Sequence, residues 1–363
     1  MGLARFEICS LRKGRHLTLK TPRTRFAPSP TGYLHLGHAR AAFEAFDFAQ
    51  ILGGECLLRI EDIDHTRCRP EYTSRIYRDL DALGLDWPLP VRVQSRHIDD
   101  YARVVADLLR RGLAYPCPLT RAEIDSGNLP APPPNWPKGN VTAAEISTSP
   151  RPQFGNSPHP NPNSTSNTSV DSIRSDYSHN QTLDLLSGLG EMEKPQLPAS
   201  IRLDISACLN AISDCPLTFH EIDGHGRELE AQREVDAIST LRVEFGLSAP
   251  NVPDSTATRR PDPIIARRDI GVSYHIAVTH DDAAQGITHV VRGADLRDQT
   301  PLHVLIQTLM SWPVPHYYHH ALVLRADGEK LAKRNLDTAL HNLLEAHQTP
   351  ADIRALCGLQ PQS

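Results

Sequence analysis

A Pro-, Asn- and Ser-rich stretch interrupts this chain and limits any fold it can adopt. Ten of the 30 prolines fall between Pro130 and Pro162. Around them run PAPPPNWPKGN and SPRPQFGNSPHPNPNSTSNTS, with almost no aliphatic periodicity. Such a segment cannot bury enough apolar surface to offset the entropy of ordering it. Residues 126–196 are therefore expected to be a disordered insertion, which splits the 363-residue chain into Thr24–Ile124 and Leu197–Leu359. A second polar stretch, Ser248–Pro261, reads as a shorter loop. The first 24 residues carry six basic side chains and one acid, which leaves two readings open, an unstructured extension or an organelle transit peptide.

The two halves alternate strand and helix signals. Thr24–Pro28, Cys56–Ile60, His275–Val278 and His289–Val291 read as strands. Gly37–Leu52, Ser74–Leu83, Tyr101–Leu109 and Leu302–Met310 read as helices, the third with Tyr101, Val104, Val105, Leu108 and Leu109 on one face. Alternation of this kind predicts an α/β fold, a parallel sheet with helices on both faces. A net charge of −5 excludes a histone-like polycation, but not an enzyme with a local basic face. No run of 18 apolar residues predicts a membrane span. Seven scattered cysteines without metal or redox spacing point to free thiols in a reducing compartment, hence a cytoplasmic protein.

Four segments could carry chemistry. RFAPSPTGYLHLGHARAAF, residues 25–43, joins a strand end to a helix through a rigid Pro/Gly turn. Its helix start, with His35 and His38 added, suits an anion such as a nucleotide phosphate, and Gly37 lets a flat ring lie on the backbone. RIEDIDHTR, residues 59–67, sets Glu61, Asp62 and Asp64 just past a buried strand, where open α/β sheets bind ligands. Those carboxylates could hold an ammonium group, bind magnesium, or form a solvated acidic turn. The block from Arg267 to Leu296 carries Tyr274 and Arg292, whose guanidinium fork matches a carboxylate. Its His280-Asp281-Asp282 cluster reads as a structural or ribose-contacting loop. GEKLAKRN, residues 328–335, crowds Lys330, Lys333 and Arg334 where charge on a departing pyrophosphate could be stabilised. The HYYHH run from His316 to His320 reads as an amphipathic strand with Tyr and His alternating between faces.

Together these segments resemble the class I aminoacyl-tRNA synthetases. RFAPSPTGYLHLGH is similar to the glutamyl branch's form of the "HIGH" signature, and KLAKR to its "KMSKS" loop; RIEDID and SYHIAV…HDD…GITHVVRGADL match the same branch. The resemblance implies a Rossmann-like catalytic domain in two halves, 24–112 and 236–363. A basic extension would occupy 1–23, and an acceptor-side subdomain, 113–235, would be inserted between the halves. Only 29 residues follow Arg334, so no anticodon-binding domain is expected. About 270 residues remain without the insert and the leader, the size of one catalytic core. That pattern resembles the short paralogue of the branch. It activates L-glutamate with ATP and Mg2+, without tRNA, and attaches it to queuosine in the anticodon of tRNA(Asp).

The resemblance also implies roles. Arg25, Ala27, Ser29, Glu61, Tyr274 and Arg292 would bind glutamate, with Glu61 on the amino group and the two arginines on the carboxylates. His35, Gly37, His38 and Lys333 would bind ATP, and Lys330 would assist Lys333 at the pyrophosphate. The reaction would be attack of the α-carboxylate on the α-phosphorus, without a protein nucleophile. No membrane partner is implied, and the protein would be a monomer. Two positions depart from the pattern. Leu119 replaces a thiolate of the family's zinc site, leaving Cys117 as a lone remnant, so zinc is expected to be absent. Ala332 stands where the loop signature usually has Ser. Two alternatives stay open, a catalytic fragment of a translational glutamyl-tRNA synthetase and a catalytically silent RNA-binding relative.

Overall fold

The short runs ECLLRI and HVVRG form strands here, and helices form where apolar positions recur every three to four residues. The computed structural model describes residues 21–128, 131–132, 199–213, 215–225, 228–247, 260–323 and 339–360. The expected leader up to residue 20 and most of the expected insertion lie outside the described residues. So do most of the 248–261 loop and the basic segment with Lys330, Ala332, Lys333 and Arg334.

The first half reads β1 (Arg23–Phe26), α1 (Leu36–Ile51), β2 (Glu55–Ile60), α2 (Pro70–Ala82), β3 (Arg92–Val93) and α3 (Ile98–Arg110). β1, β2 and β3 pair in parallel in that order. After α3 come β4 (Ala114–Cys117) and the short helix α4 (Arg121–Asp125). The chain is described again at β5 (Ser200–Leu203), α5 (Ile205–Ala211), β6 (Thr218–His225), β7 (Glu228–Asp236) and α6 (Ala237–Glu244). The second half reads β8 (Ile264–Arg267), β9 (Gly271–Val272), α7 (Tyr274–Ala284), β10 (His289–Gly293), α8 (Thr300–Leu309) and β11 (His316–His320). Two helices close the described chain, α9 (Leu340–Glu345) and α10 (Pro350–Leu356).

β10 and β11 pair in parallel, and β11 pairs in parallel with β6. The two parallel groups meet at β1 and β10, where the Thr288 N–H donates to the Arg23 carbonyl at 3.0 Å. Strand order across the molecule is thus β3-β2-β1-β10-β11-β6, with β7 antiparallel at the edge. β4, β5, β8 and β9 form a separate antiparallel sheet. Segment 113–235 accordingly supplies strands to both sheets.

Alternation along the strands divides the core. Cys56, Leu58 and Ile60 join Phe43, Phe48, Val291, Tyr318, Leu340 and Ile353 under α1, α2, α9 and α10. On the other face Val290 and Tyr317 pack with Val105, Leu108, Ile276, Leu305 and Ile306 of α3, α7 and α8. The α/β expectation holds. Three local expectations do not. His275–Val278 is helical, part of α7, because the segment carries no strand alternation and the aspartates that follow it pair with arginines of β1, β2 and β3 from a helix laid across the sheet. His280, Asp281 and Asp282 therefore lie on a helix and not in a loop. Tyr317, Tyr318, His319 and His320 are all buried, since helices cover both faces of this inner strand.

The second face also carries a row of arginines. Arg25, Arg59 and Arg92 stand on β1, β2 and β3, with Arg59 and Arg92 in register. α7 covers them with Asp281 and Asp282. Arg59, with no exposed surface, donates from Nη1 to Asp282 Oδ1 at 2.8 Å and from Nη2 to Glu61 Oε1 at 3.1 Å. Arg25 Nε reaches the same Asp282 oxygen at 3.0 Å. Asp281 accepts from Arg92 Nε at 2.7 Å, Gln94 Nε2 at 3.1 Å and the Tyr101 hydroxyl at 2.8 Å. Burial alone would raise the Asp281 carboxyl; His280, Arg59, Arg92 and Tyr101 hold it down at about 2. Removing one partner of a buried ion network leaves charge without compensation. Arg59→Met is expected to lower stability by about 3–5 kcal/mol, read from the urea unfolding midpoint. A loss below about 1 kcal/mol would show that the carboxylates are compensated without it.

Candidate active site

The strand order changes direction between β1 and β10. From β1 the chain winds outward to β2 and β3; from β10 it winds the other way to β11. Open α/β sheets bind ligands in the crevice this reversal leaves at the carboxyl ends of the strands. The residues there come from the segments singled out by sequence. β1 ends in Phe26 and runs into Ala27-Pro28-Ser29, with Ala27 and Ser29 half-buried. The Glu61 N–H, just past β2, donates to the Pro28 carbonyl at 3.1 Å and ties the two turns together.

α1 opens at the same level. His35 is its N-cap, and its Nδ1 accepts from the Gly37 N–H at 3.0 Å. His38 Nδ1 accepts from the His35 N–H at 3.1 Å, completing a reciprocal capping box. Each Nδ1 is an acceptor, so each ring carries its proton on Nε2. The rings lie 3.9 Å apart. A Cβ on Gly37 would sit 2.9 Å from His35 Cε1, so the cap needs glycine there. The chain re-enters the described residues at Ala339, bridged antiparallel to His35, with the Leu340 N–H donating to the Leu34 carbonyl at 2.8 Å. Ala339, where the described chain resumes, thus lies beside the α1 N-terminus.

The charged side chains divide sharply. Glu61 is buried; burial pushes its carboxyl up, against the pull of Arg59 and Arg25. The half-buried Tyr274 hydroxyl is raised by burial and by the Glu61 charge. Arg25 is committed to Asp282 and, through Nη1, to the Val291 carbonyl at 3.2 Å. Arg292, also buried, meets no carboxylate among the described residues. Its Nη2 donates to Thr300 Oγ1 at 2.7 Å, its Nη1 to His303 Nδ1 at 3.1 Å and its Nε to His319 Nε2 at 3.4 Å. The guanidinium lies 5.3 Å from the Tyr317 ring centre. Burial, with the Arg292 charge next, lowers His319 to about 4 and His303 well below its usual value, so both imidazoles are neutral. A buried cation among neutral acceptors suits an anionic ligand.

Residues 21–131 and 249–357 match the catalytic domain of the tRNA synthetases class I (E and Q). The chain belongs to this family of ligases. A glutamyl-Q tRNA(Asp) synthetase of Rhodobacter capsulatus is 34% identical to this synthetase over 342 residues, 93% of this chain and 99% of that one. Another, of Nitratidesulfovibrio vulgaris, is 32% identical over 339 residues, 91% and 83% of the two chains. A solved glutamate tRNA ligase from Elizabethkingia meningosepticum shares the fold, with a TM-score of 0.50, 24% identity and 88% of this chain covered. The synthetase spans about half (53%) of that ligase's length.

The remaining site candidates are placed as follows. Asp62 accepts from the Ser95 N–H and hydroxyl at 2.8 and 2.7 Å, and Asp64 from Thr66 and Arg67 at 2.5 and 2.6 Å. The acidic triplet therefore does not converge on one point. Cys117 is buried in β4 opposite Ser200. Thr300, His303 and His319 join the site although sequence reasoning did not assign them. The signal for His303 was a single titratable side chain inside the helix TPLHVLIQTL.

Burial lowers His275 and His319 to about 4 each, from the usual value near 6.5. Between those values the unfolded chain binds protons that the folded synthetase does not, so these groups make stability fall as pH drops from about 6.5 to 4. The raised Glu61, Asp62 and Asp79 carboxyls pull the other way, so the comparison with His319→Asn isolates one histidine. In urea unfolding between pH 7 and 4.5, that variant is expected to lose less stability than the wild type. Equal slopes would mean that His319 binds its proton equally well in the folded and unfolded chains.

Proposed function

We propose that this chain activates L-glutamate with ATP, without tRNA, and transfers it to queuosine in the anticodon of tRNA(Asp). The observation that carries this reading is the pairing of a buried Arg292 cation, free of carboxylate partners among the described residues, with the buried Glu61 carboxylate and the Tyr274 hydroxyl. A ligand with one ammonium and a carboxylate matches that charge pattern. The names of the Rhodobacter and Nitratidesulfovibrio relatives support the same substrate and acceptor.

In this reading Glu61 takes the amino group of glutamate and Arg292 a carboxylate. The unused edge of Arg25 assists, with Ala27, Ser29 and Tyr274 shaping the pocket. ATP lies on the α1 N-terminus over Gly37. The Nε2–H groups of His35 and His38 donate to its phosphates, where helix amides already favour negative charge. The α-carboxylate oxygen attacks the α-phosphorus and the bond to the β-phosphate breaks, giving glutamyl adenylate and pyrophosphate. Lys330 and Lys333 are assigned to the departing pyrophosphate from the sequence pattern alone. No protein nucleophile takes part; positioning and charge stabilisation lower the barrier. Asp62 and Asp64 are already engaged with neighbours and form no oxygen cage, so Mg2+ would arrive on the ATP phosphates.

The test is ATP–pyrophosphate exchange without tRNA. Glutamate is expected to support exchange, and Arg292→Ala to raise KM for glutamate at least about 30-fold, the loss expected for a buried charge partner. Labelled glutamate is then offered to tRNA(Asp) with and without queuosine and to tRNA(Glu). Labelling of queuosine-containing tRNA(Asp) alone is expected. The fold shared with a solved glutamate tRNA ligase favours a second reading, the catalytic part of a translational enzyme. Charging of the tRNA(Glu) 3′ end would establish it and overturn the first.

A further inference from the structure

Arg292 is held by an unusual set of acceptors. Arginine only donates, so His303 Nδ1 must accept from Nη1 and the His303 proton must sit on Nε2. That Nε2 lies 3.0 Å from His275 Nδ1, to which it donates. The relay Arg292 to His303 to His275 runs entirely through neutral rings, and His303 is only 2% exposed. His319, on the other edge, differs: its Nδ1 donates to Glu221 at 2.7 Å. Glu221 is itself paired with Arg233 at 2.7 Å and Arg297 at 3.1 Å, so little of its charge is left for Arg292.

Arg25 and Arg59 show the alternative. Both donate to the Asp282 carboxylate, which compensates them inside the fold. A carboxylate in place of His303 would do the same for Arg292 and leave it indifferent between a ligand carboxylate and an amide. An imidazole orients the guanidinium without neutralising it, and a second imidazole fixes the orienting tautomer. We propose that His303, backed by His275, is the positioning residue that keeps Arg292 an uncompensated cation, and that the site thereby selects a carboxylate ligand over the corresponding amide. The inference deepens the glutamate reading and rests on it.

The experiment is ATP–pyrophosphate exchange with glutamate and with glutamine, for the wild type, H303A, H303N and H303D, each checked for a cooperative melt. The Asn Oδ1 stands where Nδ1 stood, and Asp adds charge at unchanged shape. H303A is expected to raise KM for glutamate roughly 10-fold, with KM for ATP unchanged, from loss of one hydrogen bond to a charged group. H303N should restore KM for glutamate to within roughly threefold of the wild type, the acceptor being present again. H303D should raise it well above H303N and narrow the preference for glutamate over glutamine. If H303D does not fold, T300D against T300N applies the same charge contrast at the other edge of Arg292. The inference is overturned by equal KM for glutamate in the Asn and Asp variants, by an unchanged KM in H303A, or by parallel rises in KM for glutamate and ATP. Absence of glutamate exchange in the wild type would overturn the proposed function and this inference together. Exchange in the wild type with any of the three contrary results overturns this inference alone.

Discussion

The buried guanidinium of Arg59 is the constraint on which the rest of the arrangement depends. It lies in the middle of the parallel sheet, and its partners are 223 residues away on α7 and two residues away at Glu61. A cation without exposed surface has to be compensated inside the fold, since desolvating it alone would cost several kcal/mol or more. Asp281 and Asp282 provide that compensation, and only with α7 laid across β1, β2 and β3. That placement brings Tyr274, at the start of α7, to the end of β2 where Glu61 stands. The network that joins the halves of the chain therefore also sets what the proposed function takes as the ammonium side of the site.

The same face of the sheet sorts its cations into two kinds. Arg25, Arg59 and Arg92 meet carboxylates of α7, which compensate them inside the fold. Arg292, two strands from Arg59, meets a hydroxyl and two imidazoles. Moving from β1 to β10 changes the covering helix from α7, with its paired aspartates, to α8, which presents Thr300 and His303. The proposed site lies at that boundary, where the strand order reverses. One sheet face can thus hold four arginines and still leave one of them, Arg292, without a carboxylate partner among the described residues.

Much of this was legible in the sequence. Every helix expected in the first half forms, within a few residues, because α1, α2 and α3 carry period-3.6 apolar stripes that need a single covered face. The segments bearing Arg25, Glu61, His35, Tyr274 and Arg292 were found because their motifs are local, with each residue a fixed distance from a strand end or helix start. What escaped was set by contacts between distant segments. His275–Val278 has the aliphatic and aromatic content of a strand, and only the aspartates that follow it, drawn to arginines some 200 residues earlier, show why the segment lies as a helix across the sheet. CLLRI reads as a buried strand and forms one, but nothing local in it shows which carboxylates of α7 compensate its Arg59.

The histidines make the same point about charge. A string such as HYYHH suggests metal ligation or a solvated stripe, because histidine is counted there as a polar residue. Inside a sheet covered on both faces it becomes a different group. Burial strips its proton, one nitrogen then accepts and the other donates, and it can relay orientation without carrying charge. His319 does this between Glu221 and Arg292, and His303 between Arg292 and His275. Neither function can be read from residue type or spacing, since both follow from neutrality, and neutrality follows from a burial that only the assembled fold creates. The part of a binding site most difficult to read from a sequence is therefore the neutral groups that decide how much of each charge remains for the ligand.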